Sequence, residues 1–314
     1  MALSRQKIII DTDPGQDDAV AILLALASPE LEVLGLTIVA GNVPLDLTVK
    51  NAQMICELVG RSDVAIFSGC DRPMGRQLVT AEHVHGETGL DGVDLPAPTM
   101  PVKPDHAVDF IIETLRREPS GSVTLCPLGP LTNIATALQK APDIADRIAR
   151  IVLMGGGYFE VGNITPAAEF NIYVDPEAAD IVFKSGCDIV VHSLDTTHKT
   201  LTSQDWLDRL RAIETPATRA VAGWTDFFER FDVAKYDSKG APLHDPNVIA
   251  YLIAPEIYSG KFINVEIELA SDLTRGMTVA DWWGVTDRAP NATFIGDVDV
   301  AAYFDLLTDR LATL

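Results

Sequence analysis

The chain has 314 residues, of which 47% are hydrophobic and 22% charged, a composition typical of a globular protein with a sizeable core. Lysine and arginine total 24 against 45 aspartate and glutamate residues, which gives a formal net charge of −21. Because nucleic-acid binding depends on cationic side chains at the phosphates, this balance predicts no nucleic-acid partner. An acidic chain instead stays soluble through self-repulsion, or attracts cations.

The cysteines and the apolar runs indicate a reducing compartment and no membrane partner. The four cysteines are far apart and form no CxxC pair, which argues against a zinc ribbon or a thioredoxin-like site. The first seven residues lead into the strand at 8–10 without an apolar signal region. No apolar run approaches the roughly 20 residues of a membrane span. The sequence therefore predicts a cytoplasmic protein.

Short apolar runs bounded by turn residues alternate with segments of helical period through the first 215 residues. This pattern is typical of buried parallel strands covered by helices. We therefore predict an α/β fold with a mostly parallel, Rossmann-like central sheet and covering helices. The predicted strands are 7–11, 33–40, 64–67, 122–126, 149–154 and 188–192. The predicted helices are 17–27, 45–59, 105–117, 130–140, 175–184 and 203–213.

Beyond residue 215 the pattern changes to a C-terminal elaboration of helices and short strands. Helices are predicted near 216–231, 245–253 and 299–313, and strand-like segments at 262–269 and 276–280. Because no internal repeat or Gly/Ser linker occurs, we predict that residues 1–314 form a single domain. The irregular stretch 68–101 is long for a loop in a compact domain, and such loops are often functional.

Four carboxylates follow the first predicted strand in the sequence DTDPGQDD at 11–18. Ligands of open α/β sheets collect at the carboxyl ends of the strands, and carboxylates this close repel one another unless a cation lies among them. Calcium or magnesium, which prefer oxygen ligands, fit such a site. Helix capping is the alternative for Asp17 and Asp18, but it leaves Asp11 and Asp13 unexplained.

Two known motifs partly resemble this acidic run. An EF-hand loop starting at Asp11 fails, because Gly15, Gln16 and Ile22 stand at its fifth, sixth and twelfth positions. A strand followed by Asp-x-Asp also resembles phosphatases of the haloacid dehalogenase type, whose first aspartate is the nucleophile. Gly15 stands where that family has threonine or valine, so the phosphatase remains a disfavoured alternative.

Further polar candidates come later in the chain. His244 and Asp245 precede Pro246, so His244 can act as an acid or base and Asp245 can join the metal site or only cap a helix. Asn163, Glu169 and Asn171 follow a glycine turn and suit sugar hydroxyls. In the long loop, His83 and His85 would point the same way if extended, and we interpret the segment as a lid that carries one histidine to the substrate. His106, His192 and His198 are interpreted as structural.

Taken together, these residues resemble the calcium-dependent nucleoside hydrolases, the inosine-uridine and pyrimidine-preferring ribonucleoside hydrolases. The resemblance covers nearly the whole chain and lies in seven blocks that occur in the same order. They are DTDPGQDDA at 11–19, GN at 41–42, HGETG at 85–89, GPLTN at 129–133, MGGG at 154–157, AEFN at 168–171 and HDP at 244–246.

The resemblance implies a role for each matching residue. Ca²⁺ would be bound by Asp13, Asp18, Asp245 and the main-chain carbonyl of Leu128. Asp13 would also be the general base on a calcium-bound water, and His244 would supply a proton to the leaving base. The remaining implied substrate-binding residues are Asp17, Asn42, Met154, Asn163, Glu169 and Asn171 at the ribose, His85 at the base, and Phe231 and Tyr236 at the mouth of the site.

The resemblance also implies partners and a substrate class. The substrate would be a ribonucleoside, cleaved to free base and ribose in nucleoside salvage, and the chain would form a homo-oligomer, a dimer or a tetramer. The runs at 89–92, 165–168 and 240–242 are more similar to pyrimidine-preferring members, so uridine and cytidine are favoured over purine nucleosides. The alternatives are a purine-accepting hydrolase and a calcium-dependent nucleoside-binding or ribose-binding protein without turnover.

Overall fold

In the computed structural model, strands and helices alternate from the first strand onwards. The structure describes residues 5–236 and 239–314, except for the side chains of residues 232–236. The strands are β1 (Gln6–Thr12), β2 (Leu31–Ile38), β3 (Ile66–Ser68), β4 (Val123–Pro127), β5 (Ile148–Met154), β6 (Ile189–His192), β7 (Tyr258–Ile263), β8 (Val265–Ile267), β9 (Thr278–Ala280) and β10 (Ala292–Val298). The helices are α1 (Gln16–Ala27), α2 (Leu45–Leu58), α3 (Glu82–His85), α4 (Ala107–Arg117), α5 (Thr132–Lys140), α6 (Phe170–Val174), α7 (Pro176–Phe183), α8 (Leu194–Thr197), α9 (Gln204–Ile213), α10 (Pro216–Tyr236), α11 (Pro246–Ile253) and α12 (Val300–Leu311). Short 3₁₀ helices lie at Pro142–Arg147 and Pro255–Ile257.

Eight strands form one sheet in the order β3-β2-β1-β4-β5-β6-β10-β7, and β8 pairs with β9 in a small separate sheet. All neighbours in the large sheet are parallel except β10 and β7, which confirms the predicted mostly parallel sheet. The chain leaves β1 towards β2 on one side and returns to β4 on the other. This reversal of strand order opens a crevice at the carboxyl ends of β1 and β4, where ligands of open α/β sheets bind.

The first strand shows why both faces of the sheet are covered. Successive side chains of a strand point to opposite faces, and Ile8, Ile9 and Ile10 are all fully buried. Ile8 and Ile10 pack into the core formed with α1, α2, α11 and α12. Ile9 packs into the second core, with residues of α4, α5 and α7. A continuous apolar run therefore places β1 at the centre of the fold.

The C-terminal third differs from the sequence prediction in two respects. The predicted strand 262–269 is divided at Asn264, because β7 pairs with β10 in the large sheet whereas β8 pairs with β9. The strand β10 was missed altogether, although it lies between β6 and β7. Its apolar run is only Phe294 and Ile295, flanked by Thr293 and Gly296, and only tertiary pairing identifies it as a strand.

Short helices were also missed, namely α3, α6 and α8. Each has only four or five residues, which is too short for helical periodicity to be visible in a sequence. In the described part of the chain, no helix is both long and apolar enough to cross a membrane.

Replacing Ile9 with alanine should lower the free energy of unfolding by about 2–5 kcal/mol, because the truncation leaves a cavity in a closely packed core. Urea unfolding of the purified protein measures this difference. Val279→Ala is the matched control, since Val279 lies on β9 with 39% of its surface exposed and its truncation should change the stability little. Equal effects of the two substitutions would contradict the placement of Ile9.

Candidate active site

A cavity of about 370 Å³ opens at the carboxyl ends of β1, β4 and β5. Its size lies within the range of small-molecule sites, roughly 300–1,000 Å³. Most of the residues selected from the sequence line it, which brings together segments from α1 to α11. They are Asp17, Asp18, Asn42, His85, Leu128, Met154, Asn163, Glu169, Asn171, Phe231, His244 and Asp245.

Two of the selected residues are placed differently. Asp13 is outside the cavity lining and only 1% exposed, although it is close enough to Asp18, which lines the cavity, to be repelled by it. Tyr236 belongs to residues 232–238, whose side chains lie outside the described part of the structure.

Three carboxylates form a compact group at the floor of the cavity. One oxygen each of Asp17, Asp18 and Asp245 lies within 4.8 Å of the others, and all three side chains are buried. Burial, followed by repulsion from Asp18, raises the pKa of Asp17 to about 8. Burial also raises the pKa of Asp18, and it raises the pKa of Asp245 well above its usual range together with repulsion from its neighbours.

The start of α1 holds Asp18 in this group. The Thr12 hydroxyl donates a hydrogen bond to Asp18 Oδ1 at 2.5 Å, and the Gly15 amide donates to Asp18 Oδ2 at 2.9 Å. The second bond is a helix cap, so Asp18 both caps α1 and faces the cavity. Asp245 precedes Pro246 at the start of α11 but makes no side-chain capping bond. Helix capping therefore does not account for Asp245.

Asp13 is fixed by close backbone contacts. The amide of Asn42 donates to Asp13 Oδ2 at 2.7 Å, and Asn42 Nδ2 donates to the Asp13 carbonyl at 3.0 Å. A Cβ atom on Gly41 or Gly129 would lie only 2.0–2.1 Å from an oxygen of this carboxylate. Both glycines are therefore required for backbone to approach Asp13 from two sides. Burial, followed by repulsion from Asp18, raises the pKa of Asp13 well above its usual range.

This donor set fits a divalent cation. Within the described residues, no lysine or arginine forms an ion pair with Asp13, Asp17, Asp18 or Asp245. Buried carboxylates without a counter-charge are unstable as anions. A bound cation would compensate them, and carboxylate oxygens are the ligands that Ca²⁺ and Mg²⁺ prefer. Asp17, expected at the ribose, also lies in this metal-capable group.

The opposite wall is a hydrogen-bonded polar surface. Glu169 precedes α6 and accepts hydrogen bonds from the amides of Gly156, Asn171 and Ile172 at 2.9, 2.9 and 3.1 Å. Burial nevertheless raises its pKa to about 7. Asn171 Nδ2 donates to the Leu128 carbonyl at 2.6 Å and lies 3.4 Å from the sulfur of Met154. Asn163 Oδ1 accepts from the Phe170 amide at 2.9 Å.

Two neutral histidines complete the cavity. Burial lowers the pKa of His85 to about 3, and burial together with the nearby His198 and His85 lowers the pKa of His244 well below its usual range. The Nδ1 atom of His244 lies 2.7 Å from the Thr197 hydroxyl. His85 stacks on Phe228 at a centroid distance of 5.5 Å. Both rings are therefore uncharged at neutral pH and held in place.

The sequence prediction missed several cavity residues. His198 lines the cavity, in contrast to its interpretation as structural. His83 and His85 lie on the short helix α3 rather than on an extended segment, yet both line the cavity. Phe228 also lines it, and its position one helical turn before Phe231 on α10 was a usable signal. The other lining residues are Ala81, Val84, Glu160, Val161, Gly162, Ile164, Phe170, Leu201 and Pro242.

Asp195 supports the cavity from outside and gave no sequence signal. Its carboxylate accepts hydrogen bonds from the amides of Tyr158, Phe159 and Glu160 at 2.7–2.9 Å. These amides begin the loop that carries Glu160 and Asn163 into the cavity. Asp195 therefore positions that loop, which only the tertiary structure reveals.

The phosphatase alternative conflicts with the position of Asp11. Its side chain is 0% exposed and lies outside the cavity lining. The Thr37 hydroxyl and Asn133 Nδ2 donate hydrogen bonds to its Oδ2 at 2.6 and 2.9 Å. A nucleophile must contact its substrate, so Asp11 is a buried structural carboxyl group.

The chain as a whole is similar to known ribonucleoside hydrolases. A family model described as inosine-uridine preferring nucleoside hydrolase matches residues 8–305. An uncharacterised protein of Schizosaccharomyces pombe is 50% identical over 308 residues, 98% of this chain and 99% of the relative. The pyrimidine-specific ribonucleoside hydrolase RihA of Shewanella sp. (strain MR-7) is 48% identical over 97% of this chain and 96% of its own. The solved structure of a purine-preferring ribonucleoside hydrolase from Gardnerella vaginalis has a TM-score of 0.92 and 34% identity, covering 98% of each chain.

Glu169 should make the stability of the protein depend on pH. Burial raises the pKa of Glu169 from 4.5 to about 7. Between pH 4.5 and pH 7, the Glu169 carboxyl group therefore keeps its proton in the folded state but has lost it in the unfolded chain. The free energy of unfolding therefore falls as the pH rises from 4.5 to 7, by about 3 kcal/mol from this residue. In Glu169→Gln this contribution should disappear, as measured by urea unfolding at stepped pH in excess chelator.

The exposed Glu113 on α4 provides the control for this experiment. Glu113→Gln should leave the slope of stability against pH unchanged from that of the original protein. If the slope of Glu169→Gln also stayed unchanged, burial would not govern the titration of Glu169.

Proposed function

Because the chain belongs to the family of inosine-uridine preferring nucleoside hydrolases, we propose that it hydrolyses the N-glycosidic bond of ribonucleosides to free base and ribose. The observation that carries this proposal is the buried group Asp17, Asp18 and Asp245 beside a polar cavity. Negative charge at the floor and hydrogen-bonding side chains on the wall suit a sugar that becomes positively charged during cleavage. The cavity draws on segments from α1 to α11, so we also propose that residues 1–314 act as one domain.

We assign Ca²⁺ as the cofactor, held by Asp13, Asp18, Asp245 and the carbonyl of Leu128. The donors are all oxygen atoms, as Ca²⁺ requires. When bound, the cation supplies positive charge that orients a water molecule and lowers its pKa. The Leu128 carbonyl accepts one hydrogen bond, from Asn171, and a carbonyl oxygen has a second lone pair for a ligand.

The ribose binds between the carboxylates and the opposite wall. Asp17 and Asn42 present polar atoms to the sugar hydroxyls from the side of the carboxylates, while Asn163, Glu169 and Asn171 do so from the opposite wall. Glycosidic cleavage passes through an oxocarbenium-like state. Carboxylates that surround the sugar stabilise its developing positive charge, and Met154 contributes a polarisable sulfur to the same surface.

Asp13 takes up the proton of the attacking water, and His244 assists the departure of the base. Asp13 accepts a proton from the attacking water, and its burial keeps this carboxylate away from bulk solvent. His244 faces the leaving base and, as a neutral ring, donates a hydrogen bond to it rather than the proton that the resemblance implies. The Thr197 hydroxyl at Nδ1 orients the His244 ring, so Nε2 is the atom available to the base.

The base preference is proposed to be for pyrimidines. The pyrimidine-specific relative shares 48% identity with this chain, whereas the purine-preferring structure shares 34%. His85, Phe228 and Phe231 provide the flat surfaces against which a base lies. A purine-accepting hydrolase is the alternative within the same family. We also propose that the protein forms a homo-oligomer, either a dimer or a tetramer, as the sequence resemblance implies.

Purified protein should release free base from uridine and cytidine faster than from inosine and adenosine. Removal of Ca²⁺ with chelator should abolish release, and added Ca²⁺ should restore it, because the carboxylates then regain their counter-charge. Chromatographic assay of the free base measures both effects. If nucleosides bind but no base is released with Ca²⁺ present, the protein is a binding protein rather than a hydrolase.

Asp13→Asn should lower kcat by about 10²–10⁴-fold, the usual contribution of a general base, while ribose binding is partly retained. The matched control is Asp11→Asn, two residues away, which should reduce kcat far less because the Asp11 carboxylate is bonded to Thr37 and Asn133, whereas Asp13 lies close to Asp18. Steady-state kinetics with uridine and binding of free ribose by calorimetry give the two readouts. A larger loss in Asp11→Asn than in Asp13→Asn would contradict the proposed assignment.

A further inference from the structure

The side chain of Gln16 is held in one orientation by its neighbours. Its Nε2 atom donates to the carbonyl oxygens of His85 at 2.9 Å and of Asp91 at 3.0 Å. Carbonyl oxygens only accept hydrogen bonds, so the NH₂ group of the amide must face them. If the amide were reversed, Gln16 Oε1 would face the carbonyl oxygens of His85 and Asp91, and none of the three could donate a hydrogen bond. The chemistry of the partners therefore fixes Oε1 on the opposite side.

This orientation determines the tautomer of His85. Gln16 Oε1 lies 2.6 Å from His85 Nδ1, and an amide oxygen can only accept. Nδ1 must therefore carry the proton. Because burial keeps the ring neutral, the second nitrogen, Nε2, has no proton and presents a lone pair.

The Nε2 atom of His85 is left for a ligand. The ring lines the cavity, and among the described residues its side-chain hydrogen bond is the one made by Nδ1. His244 differs, because its Nδ1 faces the Thr197 hydroxyl, which can either donate or accept. The fixed acceptor of the cavity is therefore on His85.

We propose that Gln16 is a positioning residue that locks His85 as the Nδ1–H tautomer, so that among pyrimidines the site favours uracil, whose N3–H is a donor, over cytosine, whose N3 carries no hydrogen. The proposal rests on the proposed function and adds a specificity determinant to it. A base without that hydrogen leaves the Nε2 lone pair without a partner in a buried place, which is unfavourable. A methyl group at the same position adds a steric clash to this loss.

A purely structural role for Gln16 predicts a different result. Gln16 also joins α1 to the loop at His85 and Asp91, so its replacement will reduce stability in either case. Only the proposed role changes the protonation pattern of His85 and the discrimination between bases. The experiment therefore measures these two quantities on the full chain.

The first measurement is the tautomer of His85 by long-range ¹H–¹⁵N NMR of protein labelled at histidine. The original chain should show Nδ1–H, whereas Gln16→Met should show Nε2–H or a mixture of the two. Gln53→Met is the matched control, because Gln53 also donates to a backbone carbonyl, that of Met100, and lies outside the cavity lining. Its His85 should remain Nδ1–H. An Nε2–H tautomer in the original chain, or an unchanged one in Gln16→Met, would overturn the proposal.

The second measurement compares uridine with 3-methyluridine, which lacks the N3 hydrogen. In the original chain kcat/KM should favour uridine by about tenfold or more, the effect of one buried acceptor left unpaired. Gln16→Met should reduce this ratio about tenfold, mainly through KM for uridine, while Gln53→Met keeps it. An equal ratio in all three proteins would overturn the role in base selection.

Failure of the proposed function would be distinguishable from failure of this inference. If neither nucleoside is hydrolysed, titration of the labelled protein with each one still reports on His85 Nε2. A shift of the Nε2 resonance with uridine but not with 3-methyluridine supports the selection, and equal shifts overturn it.

Discussion

Mutual repulsion among buried carboxylates is the constraint on which the rest of the site depends. Asp13, Asp17, Asp18 and Asp245 are enclosed at one edge of the sheet, and burial raises the pKa of each. Such an arrangement lowers stability unless a ligand compensates it. The surrounding structure holds the carboxylates in place. The Thr12 hydroxyl donates to Asp18, the Asn42 amide donates to Asp13, and glycines lie where a side chain would collide with Asp13. The same charges that oppose folding would favour the cation and the positively charged sugar of the proposed function.

Much of the fold was predictable because its signals are local. An apolar run such as 8–10 places side chains on both faces of a strand, so both faces must be buried. Four acidic residues at the end of a strand are difficult to explain by a structural role alone. The position of β10 was not predictable, since its short apolar run becomes a strand only by pairing with β6 and β7. The division of 262–269 at Asn264 likewise depends on which sheet each half joins.

The candidate site was predictable to the extent that its residues are polar and follow strands. Gln16 and Asp195 were not, because each acts on a segment distant in sequence through side-chain to backbone hydrogen bonds. His198 was interpreted as structural because a lone histidine carries no pattern. Phe228 shows the opposite case, in which helical spacing from Phe231 contained the information. Supporting residues of a site are therefore harder to predict than the residues that face its ligand.

The separation of the carboxylates along the chain has a consequence for biosynthesis. Asp13, Asp17 and Asp18 leave the ribosome early, whereas Asp245 belongs to the segment before α11, which packs on α1. A nascent chain that ends before α11 has the early carboxylates without the late one. Because ion binding stabilises only a state that contains the whole site, its free energy becomes available at the last stage of folding. A bound cation would then stabilise the chain only after the C-terminal half has folded. The partly synthesised N-terminal half would lack that stabilisation.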